Sequence, residues 1–351
     1  MTTIEKPRPV ARPEEQPDAY DLSKIQERHP DWPKLELTFY FSAHNAAADM
    51  EGVAPYLADA DVLLYEEAPR SYETQRILND FANDPKKTVN WGDIRGTELE
   101  PLVKGLWRSG KAVGSMDIGK DKSEAAMARR IDSLLKMAPP RNMNYEDALS
   151  VWHGKFAEIA SLQNKREDLM VDNFEGEIEK ILKSRPDLQQ KEELKILATM
   201  GSYHTRLGHN FAKSGMKTDR HFPTSSYLYG HQNELQRTIA FGKQPSHELV
   251  ERAMSSHIVS DYFMMVMRDG DFSFEEKTAY LRMVVSALTT EDMEDLYESY
   301  SENDLDLGLV DGLLKSRDLY RIPRDRDEML YIMDQLSHRK KKALATTAMR
   351  G

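Results

Sequence analysis

Short apolar runs alternate with helical patterns between residues 34 and 222, and this alternation limits the fold more than any other feature of the sequence. The runs cover residues 35–41, 61–65, 111–117, 194–200 and 216–222, with a weaker one at 87–91. Runs of this length are typical of buried strands, whereas the segments between them repeat apolar residues at helical spacing. We therefore predict an α/β fold with a mostly parallel sheet flanked by helices.

Three further regions lie within or around this pattern. Residues 1–33 contain six prolines and dense charge without periodicity, which predicts a disordered or loosely packed arm. The α/β core, 34–223, contains a helical insertion at about 119–192, where one apolar stripe follows a helical repeat. Strand patterns vanish after Pro223, so we predict an all-helical C-terminal region over 224–351.

Composition excludes several kinds of site and partner. The chain has no cysteine, which excludes disulfides, thiolate zinc sites, iron–sulfur clusters and cysteine nucleophiles. A net charge of −11 disfavours nucleic-acid binding, and no apolar run reaches the roughly 18 residues of a transmembrane helix. Phosphate-loop, dinucleotide-binding and serine-elbow patterns are absent as well. We expect a cytoplasmic protein that binds neither nucleic acid nor membrane.

Chemically active side chains follow four of the five main runs. His44 follows the first run, Glu66 and Glu67 follow the second, Asp117 ends the third, and His204 follows the fourth. Because the carboxyl ends of parallel strands meet at one edge of a sheet, we expect these side chains to converge there. Polar residues at such positions also cap helices or bind loop backbone, but their convergence favours a functional site.

Two imidazoles with one or two carboxylates fit two kinds of chemistry. They can bind a divalent metal and leave open positions for water and substrate. They can also act without a metal, when a carboxylate–histidine pair removes a proton from water or a hydroxyl. The sequence leaves both open. In either case we predict His44, Glu66 and His204 as the site, with Glu67 and Asp117 as supporting carboxylates.

Four segments carry a resemblance to a known family. They read FYFSAH at 39–44, ADVLLYE at 60–66, ILATMGSYH at 196–204 and FAKSGMK at 211–217. Together they resemble the TraB/TIKI/GumN group of the erythromycin esterase and ChaN-like superfamily. In that group a strand ending in a G-x-x-H element precedes a helix and a strand ending in glutamate, and a second G-x-x-H element follows later. The resemblance spans about residues 35–222, and Phe41 stands where the family has glycine.

The resemblance implies a hydrolase-like site at the matching positions His44, Glu66 and His204, metal-dependent as in the TIKI proteases. Such a site would hydrolyse an ester or a peptide bond in a small-molecule or peptide substrate. Other members bind haem iron, so haem or iron binding is one alternative. A second alternative, favoured by Phe41, is a non-catalytic binding or regulatory protein that contacts a protein partner through the helical C-terminal region.

Overall fold

The centre of the molecule is a parallel β-sheet. A computed structural model describes residues 22–42, 50, 52–66, 72–84, 86, 95, 99–117, 122–223, 230–266, 274–302, 312, 327–329 and 331–332. The strands of the sheet are β1 (Lys34–Ser42), β2 (Val62–Tyr65), β3 (Ala112–Ser115), β4 (Glu193–Gly201) and β5 (Lys217–His221). Their order is β3-β2-β4-β1-β5, and every neighbouring pair is parallel. The predicted α/β class is confirmed.

Helices connect the strands and form the rest of the structure. They are α1 (Ile25–Arg28), α2 (Ala54–Asp59), α3 (Tyr72–Asn83), α4 (Leu99–Leu106), α5 (Lys122–Leu135), α6 (Tyr145–Ser184), α7 (Pro186–Gln189), α8 (Thr205–Lys213), α9 (His231–Ala240), α10 (His247–Val266), α11 (Phe274–Ala287) and α12 (Thr290–Glu302). Among the helices of the described residues, none is long and apolar enough to cross a membrane.

Both faces of the sheet are covered, which explains the nearly continuous apolar runs of its strands. On one face, residues such as Phe39 and Ile196 pack against α6 and α8. On the other face, Leu63 and Leu197 pack against α2, α3 and α4. In the central pair, β1 and β4 are in register from Lys34 opposite Glu193 to Ser42 opposite Gly201, so that their carboxyl ends are level.

The helix α6 belongs to two hydrophobic cores. Its first half, which includes Trp152 and Phe156, packs with α9 to α12 in an all-helical core. Its second half, which includes Phe174 and Ile178, packs on the sheet. Asn144 caps the helix by accepting the backbone N–H of Asp147 at 2.9 Å. The inserted helices therefore link the sheet to the C-terminal helices.

The segment 22–32 is packed, which corrects the predicted boundary of the arm at residue 33. Leu22, Ile25 and Trp32 are buried in the same core as β1. Pro30 interrupts helical periodicity, but the apolar side chains of this stretch still pack with those of β1. Residues 1–21 of the predicted arm lie outside the described residues.

Most predicted elements correspond to observed ones. The weak strand predicted at 87–91 lies outside the described residues. Helical spacing also predicts helices at 305–316 and 324–336, most of which lie outside the described residues. The helix α9 was not predicted, because its buried side includes the polar residues His231 and Gln236. The helix α8 is followed by Gly215, which has a positive φ of 83°.

Replacing Gly114 by alanine is expected to lower the free energy of unfolding by about 1–3 kcal/mol, because the site is already filled. Gly114 lies in β3 beneath α6, and a β-carbon there would lie 2.7 Å from Oε1 of Glu177 and 2.9 Å from Cδ1 of Ile181. Urea unfolding followed by circular dichroism measures the change. Gly176→Ala is the control. Gly176 is exposed in α6, and a β-carbon there would meet no neighbouring atom. Alanine should therefore raise the free energy of unfolding by about 0.5–1 kcal/mol. If both variants changed the free energy of unfolding in the same direction, the close approach of α6 to Gly114 would be contradicted.

Candidate functional site

Glu66 lies directly after β2 and is held against β4. Its backbone N–H donates to the carbonyl oxygen of Thr199 at 3.0 Å, which continues the parallel pairing of the two strands. One carboxylate oxygen accepts the backbone N–H of Gly201, and the other lies 2.9 Å from Nε2 of His204. The register of β2 and β4 thus fixes both the position and the partners of this carboxylate.

His204 lies in the turn between β4 and α8, and its ring is held between two carboxylates. Its backbone N–H donates to the carbonyl oxygen of Gly201 at 2.9 Å. Nε2 lies 2.9 Å from Oε1 of Glu66, and Nδ1 lies 3.4 Å from Oε1 of Glu167. The side chain is only 2% exposed. A chain of three titratable groups, Glu66–His204–Glu167, therefore runs from the sheet edge into α6.

Arg166 joins two of the predicted carboxylates. Its Nη2 donates to Oε1 of Glu66 at 3.1 Å and to Oδ2 of Asp117 at 2.6 Å, and its Nε donates to Oδ1 of Asp117 at 3.3 Å. The guanidinium is 10% exposed, and Asp117 is 4% exposed. Asp117 follows β3, so this arginine ties together the ends of β2 and β3.

Burial and charge act in opposite directions on His204. Burial alone lowers the pKa of its ring, but the negative charge of Glu66 and the hydrogen bonds to Glu167 and Glu66 outweigh it and raise the pKa to about 9. Burial also raises the pKa of Glu167, against the opposing effect of His204. Both shifts favour a proton held between the ring and the inner carboxylate.

Three residues of the site lie in α6, and they were not predicted from the sequence as site residues. Arg166 and Glu167 follow Gln163 by three and four residues, the spacings that place side chains on the same helix face. The amide of Gln163 lies 2.9 Å from Nδ1 and 3.1 Å from Nε2 of His204. All three residues are buried on the side that continues the apolar stripe of α6. Polar residues in register with an apolar stripe were the available signal.

Only some of the predicted site residues can be placed in the structure. The structure brings Glu66, Asp117 and His204 together, whereas His44 and Glu67 lie outside the described residues. Phe41, which stands where the resembled family has glycine, stacks on Phe39 and Phe222, with ring centroids 5.6 Å and 4.8 Å away. It belongs to the core between β1, β5 and α8.

The fit of a divalent metal was tested on the donor atoms. In the described part of the chain, no group of three or more histidine and carboxylate side chains is arranged to hold a metal ion. Both oxygens of Glu66 already accept N–H groups, and the cation between Glu66 and Asp117 is Arg166. These residues alone do not fit a metal, and His44, the other predicted ligand, lies outside the described residues.

Comparison with known proteins adds no relative: the chain has no significant match to a family model, a curated protein or a solved structure. The resemblance to the TraB/TIKI/GumN group therefore stays a prediction from four short segments.

Proposed function

We propose that the protein is a hydrolase whose proton-transfer centre is the chain Glu66–His204–Glu167. The observation that carries this proposal is a buried imidazole between two carboxylates, at the edge of the sheet where its strands end. Open α/β sheets bind their ligands at this edge. A carboxylate–histidine pair is suited to moving the proton of a water molecule, which is the central step of ester and peptide hydrolysis.

In this proposal the residues have separate roles. Water attacks the carbonyl carbon of the substrate, and Glu66 accepts the water proton. Glu66 is 11% exposed, which makes it the member of the chain nearest to solvent. The proton then passes from the Glu66–His204 pair to the leaving oxygen or nitrogen, and Arg166 stabilises the negative charge on the carbonyl oxygen. Glu167 holds the far side of the His204 ring.

Glu66→Gln is expected to lower hydrolysis by at least about 100-fold, because glutamine cannot accept the water proton. The assay uses a fluorogenic peptide library and unactivated alkyl esters of increasing chain length. Glu36→Gln is the matched control, since Glu36 lies near the start of β1, at the other edge of the same sheet, and pairs with Lys217. Hydrolysis by Glu66→Gln at a rate close to that of the wild type would contradict the proposal.

Metal content decides between the two chemistries in the same preparations. A stoichiometric divalent metal that is lost in His44→Ala and His204→Ala would favour the metal site predicted at His44, Glu66 and His204. Unchanged hydrolysis after dialysis against a chelator would favour metal-free proton transfer through Glu66, His204 and Glu167. An absorption spectrum after haem addition tests the haem alternative directly.

One observation favours the alternative of a non-catalytic binding protein. Arg166 neutralises Glu66 and Asp117, so the strand ends are joined by a satisfied buried network. A wild-type protein inactive on every ester and peptide would support this alternative. Partner capture should then use surface variants of the helical region, because deleting 224–351 would expose the core around Trp152 and Phe156.

A further inference from the structure

The helical region contains a second arrangement of catalytic residue types, apart from Glu66 and His204. His231 begins α9, and its ring is buried. Nδ1 lies 3.1 Å from Oγ of Ser256 in α10, and Nε2 lies 3.1 Å from Oγ of Ser286 in α11. One imidazole therefore joins the hydroxyls of two neighbouring helices.

The two hydroxyls differ in their access to solvent. Ser256 is 4% exposed, whereas Ser286 is half-buried near the end of α11. A neutral ring satisfies both contacts when Nδ1–H donates to Ser256 and Nε2 accepts the hydroxyl of Ser286. From solvent inward the order is then hydroxyl, imidazole and orienting group, which is the order of nucleophile, base and support in serine hydrolases.

A guanidinium lies beside Ser286. Arg252 precedes Ser256 by one turn of α10 and shares its helix face. Its Nη2 donates to the backbone carbonyl of Ser286 at 3.4 Å and pairs with Glu248 at 2.5 Å. Its Nε is buried and has no hydrogen-bond acceptor in the described parts of the chain. A guanidinium beside a nucleophile supplies the positive charge that stabilises the oxyanion of an acyl-transfer intermediate.

We propose that Ser286 is the nucleophile of a second, acyl-transfer site that accepts an activated ester. Oγ of Ser286 attacks the carbonyl carbon, and its proton passes to Nε2 of His231. The bond to the leaving alcohol breaks, and the imidazolium gives the proton to the leaving oxygen. Water then hydrolyses the acyl-serine with His231 again as base. Ser256 positions the ring, and Arg252 faces the oxyanion. The site goes beyond the hydrolase centre at Glu66 and does not depend on it.

Acylation of the full chain by p-nitrophenyl acetate tests the nucleophile. Peptide mass spectrometry is expected to find acetyl on Ser286 at least about tenfold faster than on Ser214, a half-buried serine just after α8 whose hydroxyl donates to the carbonyl oxygen of Phe211. The label should vanish in Ser286→Ala and persist in Glu66→Gln, so failure here is distinguishable from failure at Glu66. No acetyl on Ser286, or equal labelling of Ser214, overturns the proposal.

The absence of cysteine allows a second, independent test. In Ser286→Cys the thiol would lie beside His231, and we expect iodoacetamide to alkylate it at pH 6.5 at least about tenfold faster than the thiol of Ser214→Cys. The acceleration should be lost in Ser286→Cys/His231→Gln. Adding Ser256→Ala should slow the reaction and Ser256→Thr should restore it, since threonine keeps the hydroxyl that positions the ring. Equal rates for the two thiols overturn the proposal, and no effect of Ser256→Ala overturns the role of Ser256.

Discussion

Arg166→Met is expected to lower the free energy of unfolding by about 3–5 kcal/mol, as is typical when one partner of a buried ion pair is removed. Burial alone would lower the pKa of this guanidinium, but Glu66 and Asp117 raise it, so the group is charged throughout the working pH range. Methionine fills a similar volume without the charge. It would remove the guanidinium that pairs with two buried carboxylates, which are 11% and 4% exposed. Urea unfolding at pH 7 measures the loss.

Arg185→Met is the matched control for this prediction. Arg185 forms a close pair with Asp187 at 2.7 Å, but the two side chains are 29% and 60% exposed. Exposed pairs of this kind contribute about 0–1 kcal/mol. In Arg166→Met, adding Glu66→Gln and Asp117→Asn should recover part of the loss, because neutral amides no longer need the cation. A loss no larger than that of Arg185→Met would contradict a buried network at the strand ends.

The sheet was predictable because its signals are local. The runs that became β1 and β4 are apolar on both faces, and a chain segment can show this without knowledge of its partner. Once the strands are parallel, their carboxyl ends share an edge. This reasoning was sufficient to place Glu66, Asp117 and His204 near one another. The geometry that resulted, with Nε2 of His204 at 2.9 Å from Glu66, follows from the register of β2 and β4.

The cation of the site was not predictable in the same way. Arg166 lies 49 residues from Asp117 and 100 residues from Glu66 in the sequence, so no local pattern links them. It depends on how α6 crosses the sheet, which is set by packing of its apolar stripe. The same holds for His231, Ser256 and Ser286, which meet only because α9, α10 and α11 pack together. The sequence could identify polar residues on buried faces, but not their partners.

The stability of the protein is expected to fall by about 3 kcal/mol between pH 6.5 and pH 9 through His204 alone. The ring has a pKa of 6.5 in the unfolded chain and of about 9 in the folded one. Because the folded pKa is the higher, this stabilisation is fully present below pH 6.5 and is lost as the pH rises through 9. The raised pKa of Glu167 acts in the same direction, since the folded state again holds its proton longer.

Comparison with His204→Gln isolates this contribution from other groups. Burial lowers the pKa of Lys155 to about 8. Because the folded pKa is lower than the unfolded value of 10.5, the contribution of Lys155 to stability rises with pH, opposite to that of His204. Lys155 is present in both proteins, so the difference between their urea unfolding curves at pH 6, 7.5 and 9 removes its effect. The difference should shrink as the pH rises, because wild type loses the stabilisation that the variant lacks. A difference that stays constant from pH 6 to pH 9 would show that His204 is not held as an imidazolium between Glu66 and Glu167.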